Sequence, residues 1–194
     1  MATLQIAEPR IRRWSRDEFY QMMDLGWFLG QSVELIRGEI IEMPNQKSGH
    51  YACIDKTSRR LEQVFATGFW VRTQAPVALG GDTEPNPDVS VVSGSREDYL
   101  QQHPTTALLL VEVSDSTLRF DRTTKVGIYA SAAIGDYWIV NLPDRQVEVH
   151  RRPISDPTGE FDCVYGDVQV FRGNQTFCPL ALPTASIMAE ELLP

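Results

Sequence analysis

The N-terminal third of the chain has the pattern of two helices separated by a β-hairpin. Residues 15–18 have the sequence of a capping box, apolar residues follow at helical spacing, and Gly26 can end this first helix. Residues 33–43 contain two short apolar runs around an Arg-Gly pair, which is typical of a hairpin. Residues 50–67 carry apolar side chains on one helical face, and this predicts a second helix.

Further along the chain, short apolar runs predict several strands and one more helix. Alternation in residues 70–79 indicates a half-buried strand, and the continuous apolar run 108–113 indicates a central strand covered on both faces. Asp121 can cap a helix that runs to about residue 133. Further strands are predicted at 89–92, 137–141, 146–151, 161–165 and 168–171. This order predicts an α+β (mixed α/β) fold in which helices flank a central mixed sheet.

The organisation of the chain predicts one domain. The 194 residues contain no internal repeat and no linker long enough to divide them. We expect the domain at 14–183, with residues 1–13 as an N-terminal arm and 184–194 as a C-terminal tail.

Composition and charge narrow the class of protein. The net charge of -8 argues against a protein that coats nucleic acid nonspecifically, although it leaves room for an enzyme that uses a local patch and a metal. No apolar run is long enough to span a membrane, and the N-terminus lacks the apolar centre of a signal peptide. The three cysteines are far apart in the sequence. We read them as reduced thiols, and we expect a cytoplasmic protein.

Two acidic residues occur where the pattern predicts strands. Glu112 interrupts the apolar run 108–113, and Asp88 precedes the strand at 89–92, directly after Pro87. If the two strands are neighbours, the carboxylates can converge and bind Mg²⁺, which takes one or two protein carboxylates and keeps several waters. Alternatively, Glu112 is exposed at a strand end and Asp88 is a turn residue that caps its own backbone.

Lys125 is the next candidate. It lies in the helix that follows the Glu112 strand, and Tyr129 shares its helical face. A lysine beside two carboxylates and a metal can orient an attacking water or stabilise charge on a phosphate. The alternative is a solvated lysine on a helix surface.

Other catalytic patterns are missing from the sequence. It contains no P-loop, no glycine-rich dinucleotide motif and no G-x-S-x-G elbow. His50, His103 and His150 lack the spacing of zinc ligands.

Several segments together resemble the Uma2 family, also called DUF820, which is abundant in cyanobacteria. The resemblance runs from about Trp14 to Leu182. It is carried by the segments Glu34–Glu39 (ELIRGE), Asn86–Asp88 (NPD), Val111–Ser114 (VEVS), Asp121–Lys125 (DRTTK), Tyr129–Ala130 and Asp136–Val140 (DYWIV). This family is classed with the PD-(D/E)xK nucleases, so the resemblance implies a restriction-endonuclease-like fold and metal-dependent hydrolysis of phosphodiester bonds.

The resemblance also implies roles for individual residues. Asp88 matches the PD aspartate and Glu112 the second acidic residue, and both would bind Mg²⁺ or Mn²⁺. Ser114 stands where the motif has its lysine, and Lys125 resembles a lysine that has migrated to the following helix. Glu34 matches an additional acidic residue of such sites, with Glu39 and Glu42 as weaker candidates. Possible substrate contacts are His50, Arg122 and Tyr129, although His50 can equally begin a helix and Tyr129 can simply pack.

A second hypothesis is a catalytically silent protein that keeps the nuclease fold as a dimeric binding module. Basic residues clustered around Asp88 and Glu112 would favour the enzyme with DNA as substrate, and scattered ones would favour the binding module. The basic candidates are Arg59, Arg60, Arg119, Arg122 and Lys125. Three more arginines either belong to the same cluster or are solvated charges at a sheet edge: Arg145, Arg151 and Arg152. The resemblance implies a homodimer, for which Trp27, Phe28 and Leu29 are candidate interface residues or else core.

Overall fold

A six-stranded mixed β-sheet forms the centre of the protein. The structure is a computed structural model that describes residues 10–194, except for the side chain of Glu160; residues 1–9 of the predicted arm lie outside this range. The helices are α1 (Arg16–Asp24), α2 (Ser48–Val64), α3 (Leu118–Phe120) and α4 (Val126–Ser131). The strands are β1 (Val33–Ile36), β2 (Glu39–Glu42), β3 (Phe69–Thr73), β4 (Val89–Ser93), β5 (Leu109–Ser114), β6 (Asp136–Asn141), β7 (Gln146–Ser155), β8 (Cys163–Phe171), β9 (Thr176–Phe177) and β10 (Ile187–Met188).

Only one pair of neighbouring strands in the central sheet is parallel. The strand order is β3-β4-β5-β6-β7-β8; β5 and β6 run parallel, and every other neighbouring pair is antiparallel. The parallel pair is joined by the crossover through α3 and α4, as parallel strands require. The predicted fold class, a mixed sheet flanked by helices, is confirmed.

The side chains of β5 point alternately into two layers of the interior, one on each face of the sheet. Val111 and Val113 pack with α2 residues such as Leu61 on one face of the sheet. Leu110 lies on the opposite face, in the layer formed with α4. Because side chains alternate along a strand, Glu112 enters this second layer, beneath α4.

Two strands differ from their sequence-based predictions. Residues 70–79 do not form one strand: β3 ends at Thr73, because Gln74 has a left-handed backbone (φ 47) that cannot continue a ladder. The strands predicted at 161–165 and 168–171 are instead the single strand β8, which keeps one register with β7 on both sides of Gly166.

The C-terminal residues 184–194, which the sequence predicts to be a tail, pack against the layer beneath α2. Ile187, Leu192 and Leu193 are buried in the layer beneath α2, and the Cys53 thiol donates a hydrogen bond to the Leu192 carbonyl (2.9 Å). Burial of apolar side chains at this depth makes the segment part of the core. Within residues 10–194, no helix combines the length and apolar character needed to cross a membrane.

The apolar loop after α1 is partly exposed. Trp27 and Leu29 are 62% and 86% exposed, whereas Phe28 packs on Phe19 with ring centroids 5.8 Å apart. Phe28 therefore belongs to the small core around α1, and only its two neighbours remain available to a partner.

Candidate functional site

Asp88 and Glu112 lie opposite each other on neighbouring strands. The antiparallel register of β4 and β5 pairs Val89 with Val111, so the next position along places Asp88 across from Glu112. The Asp88 amide donates to Glu112 Oε2 (3.3 Å), and the Val113 amide donates to Asp88 Oδ2 (2.8 Å). Both acidic residues are buried, so the sheet brings together two carboxylates that water hardly reaches.

The Lys125 ammonium lies between Glu112 and Glu34. Its Nζ donates to Glu112 Oε1 and to Glu34 Oε1, each at 2.9 Å, and lies 2.8 Å from Glu34 Oε2. The Tyr129 hydroxyl also donates to Glu112 Oε1 (2.6 Å). Lys125 is only 1% exposed, so the alternative interpretation, a solvated lysine on a helix surface, is wrong.

A wide helical turn brings Lys125 to this position. Residues Asp121–Lys125 form a π-helical stretch between α3 and α4, and the Asp121 carbonyl accepts a hydrogen bond from the Tyr137 hydroxyl (3.1 Å). A π-helical turn inserts an extra residue into the helix, a feature frequent at functional sites. Because Lys125 and Tyr129 are four residues apart, both reach Glu112 from one helix face.

Burial and charge set the protonation of this cluster. Burial raises the pKa of Glu112 to about 8; the Lys125 ammonium opposes this rise, and the nearby Asp88 carboxylate adds to it. Burial alone would lower the pKa of Lys125, but the Glu112 and Glu34 carboxylates outweigh it and the net shift is upward. The upward shift in the pKa of Lys125 favours its ammonium form.

Asp121 is a fourth buried carboxylate of this region, after Asp88, Glu112 and Glu34. Its Oδ2 accepts hydrogen bonds from the hydroxyls of Ser114 and Thr117, each at 2.7 Å. Burial raises the pKa of Asp121, whereas these hydroxyls lower it. Asp121 is thus not the helix cap that the sequence predicted, because its side chain points into the interior toward the end of β5.

Two polar side chains contact Asp88, one from the loop before α2 and one from the first turn of α2. Gln46 Nε2 donates to Asp88 Oδ1 (3.2 Å), and His50 Nε2 lies 3.3 Å from both Asp88 oxygens. The structure therefore places His50 beside the carboxylate pair. It contacts a carboxylate as well as lying in the first turn of the helix.

These groups border an open pocket of about 130 Å³. Its wall includes the carboxylates of Glu34, Asp88, Glu112 and Asp121, and also Asn86, whose buried Oδ1 has no hydrogen-bond partner. Oxygen donors that converge in this way suit a hard cation such as Mg²⁺. Within residues 10–194 no three His, Cys, Asp or Glu side chains are arranged as a metal-binding group, so the fit rests on the carboxylate pair and the unpartnered amide oxygen.

The basic residues do not cluster around the pocket. Arg122 donates two hydrogen bonds to Glu148 (2.9 and 2.5 Å), and it does not line the pocket. Arg59 pairs with Asp55, and Arg60 with Glu191. Lys125 lies behind the carboxylates, and Lys47 is the basic residue of the pocket wall.

Sequence reasoning missed Asn86, Gln46 and the interior position of Asp121. Asn86 and Asp121 belong to the matched segments NPD and DRTTK, which could have pointed to them. Gln46 lies in an irregular loop before α2, and no residue pattern there indicates a contact with Asp88.

Comparisons with known proteins agree with this architecture. The model of the Uma2 family, described as "Putative restriction endonuclease", matches residues 16–189, so the chain belongs to the Uma2 family. Among solved structures, a crystal structure from Anabaena variabilis described as a "putative nuclease belonging to DUF820" is similar, with a TM-score of 0.67 and 15% identity. The match covers 92% of this chain and 96% of that one, and it shows a shared fold. No curated protein matches.

Proposed function

We propose that this protein is a metal-dependent endonuclease that hydrolyses phosphodiester bonds in DNA. The observation that carries the proposal is the pair Asp88 and Glu112, which face each other across two strands at an open acidic pocket. Family membership supports the nuclease class, and the convergent oxygen donors support a cation.

Asp88 and Glu112 would hold Mg²⁺ or Mn²⁺, and the Asn86 carbonyl oxygen is available as a further donor. When bound, such an ion supplies Lewis acidity toward a phosphate oxygen and lowers the pKa of a bound water. The backbone amides of Asp88 and Val113 orient these two carboxylates, and the burial of both side chains limits their contact with bulk water. His50 lies close enough to Asp88 to contact a phosphate brought to the same place.

In this arrangement Lys125 and Tyr129 hold the Glu112 carboxylate in place rather than contact the substrate. Both groups hydrogen-bond Glu112 Oε1, which leaves Glu112 Oε2 on the Asp88 side. The ammonium also offsets the charges of Glu34 and Glu112. We therefore assign Lys125 and Glu34 to positioning and to charge balance at the site.

The test is cleavage of supercoiled plasmid with Mg²⁺ or Mn²⁺ and with a chelator. We expect nicking that requires the metal and falls by at least ~100-fold in Asp88→Asn and in Glu112→Gln, because removing catalytic electrostatic groups costs factors of this size. Glu62→Gln is the matched control, since Glu62 is an exposed carboxylate on α2 outside the pocket. Equal cleavage by the wild-type protein and the two site variants would overturn the assignment.

A catalytically silent binding module is the second candidate. The scattered, carboxylate-paired arginines favour it, because a nuclease without a basic surface gains little attraction for DNA. In that case the exposed Trp27 and Leu29 would contribute to a dimer. A dimer in sedimentation that Trp27→Ser and Leu29→Ser dissociate, without cleavage under any metal, would select this candidate.

A further inference from the structure

Gln74 has an unusual backbone for a residue with a side chain. It follows β3 directly and has φ 47, in the left-handed region that glycine adopts at little cost. Strained positions of this kind concentrate at functional sites, where the surrounding structure holds them in place. A glycine would fit this backbone better, so the glutamine side chain requires a reason.

The contacts of Gln74 supply that reason, since they reach Asp88 in two ways. The Gln74 amide donates to the Asp88 carbonyl (3.0 Å). Its side-chain Nε2 donates to Gln46 Oε1 (2.7 Å), and Gln46 Nε2 donates to Asp88 Oδ1 (3.2 Å). Gln74 thus occupies the side-chain oxygen of Gln46. The side-chain NH₂ group of Gln46 is then directed toward Asp88.

Each oxygen of the Asp88 carboxylate accepts a hydrogen bond. The Val113 amide donates to Oδ2, and Gln46 donates to Oδ1. His50 Nε2 also lies 3.3 Å from both oxygens. Because each oxygen has more than one lone pair and Asp88 lines the pocket, acceptor capacity remains for a cation. Groups that hydrogen-bond a ligating carboxylate fix its orientation, and their loss typically weakens metal binding by ~10–100-fold.

We propose that Gln74 and Gln46 form a relay that orients the Asp88 carboxylate for cation binding. Gln74 is a positioning residue, and its strained backbone is retained because its side chain orders Gln46. This inference rests on the proposed function, since it assumes that Asp88 binds a cation.

Replacing Gln74 by glycine should change the stability of the protein and its affinity for metal in opposite directions. Gln74→Gly relieves the left-handed backbone, so its thermal midpoint should equal or exceed that of the wild-type protein. The same change removes the donor to Gln46, so the Kd for Mn²⁺ measured by calorimetry should rise by about 10-fold. A purely structural role for Gln74 predicts that affinity stays unchanged.

Two further variants complete the test. Ala133→Gly is the matched control, because Ala133 is exposed and also left-handed (φ 56); it should gain stability without a change in Kd. Gln46→Met removes the donor to Asp88 without adding a charged ligand to the pocket wall, and it should weaken Mn²⁺ binding at least as much as Gln74→Gly.

The outcomes separate this inference from the proposed function. If the wild-type protein binds Mn²⁺, Asp88→Asn does not, and Gln74→Gly binds as tightly as the wild type, the relay is wrong and the metal site stands. If the wild-type protein binds no Mn²⁺, or Asp88→Asn binds it equally well, the metal site and the relay both fail.

Discussion

Lys125 is the residue whose loss should disturb the site most. Its ammonium is the cation in direct contact with both Glu34 and Glu112, and all three groups are buried. Taking charges out of water is expensive, and their mutual attraction offsets the cost only while both partners are present. The stability of the site should thus depend on this one side chain.

We expect Lys125→Met to lower the free energy of unfolding by about 3–5 kcal/mol, because it leaves buried carboxylates without their cation. Urea denaturation measures the change. The control is Lys47→Met, since Lys47 is 79% exposed and its ion pair with Asp115 is long (3.7 Å). That variant should stay within about 0.5 kcal/mol of the wild type.

A double variant separates charge from packing. Glu34→Gln combined with Lys125→Met removes one of the stranded carboxylates, so it should recover part of the lost stability. A loss below about 1 kcal/mol in Lys125→Met, or no recovery in the double variant, would contradict a charge-balancing role for the lysine.

At the scale of elements, the β1–β2 hairpin places Glu34 beside Lys125. Gly38 lets that hairpin pack closely against Arg13 and Trp14. Gly38 has φ 73, and the Trp14 amide donates to its carbonyl (2.9 Å). A Cβ on Gly38 would lie 2.8 Å from the Trp14 nitrogen and 2.5 Å from Arg13 Cβ. Backbone atoms at this distance cannot move aside cheaply.

Gly38→Ala should therefore destabilise the protein by at least about 2 kcal/mol, the sum of left-handed strain and overpacking. Gly30→Ala measures the left-handed strain alone, because Gly30 has φ 78 and a Cβ there meets nothing within 4 Å. We expect about 1–2 kcal/mol for that control. Equal losses in the two variants, measured by thermal denaturation, would show that the close approach at Gly38 costs nothing.

The elements also show which features the sequence could predict. The hairpin, α2 and the central strands follow from local periodicity, and the acidic interruptions at Asp88 and Glu112 stood out against apolar runs. The early end of β3 and the burial of Asp121 did not, because both depend on partners distant in space or on a backbone angle. Gln74 is held by Asp88, and Asp121 by Ser114 and Thr117.

At the scale of the whole molecule, charge governs how nucleic acid would approach. The chain carries a net charge of -8, and several arginines are engaged by carboxylates, as Arg122 is by Glu148 and Arg151 by Asp136. The candidate pocket is itself lined by carboxylates. Long-range attraction to a phosphate backbone is therefore weak, and a bound cation would have to supply much of the local positive charge.

This balance predicts an unusually shallow salt dependence of DNA binding. Proteins that neutralise six to ten phosphates lose about 10³–10⁵ in affinity between about 50 and 200 mM salt, since each contact releases counterions. Here the candidate pocket is lined by carboxylates and the arginines do not cluster around it, so we expect a loss below about 10-fold. Fluorescence anisotropy of a labelled duplex with the Asp88→Asn protein, which should not cleave it, measures the slope. A slope as steep as that of a basic DNA-binding protein would contradict this expectation. It would mean that the paired arginines leave their carboxylate partners and contact phosphates when DNA binds.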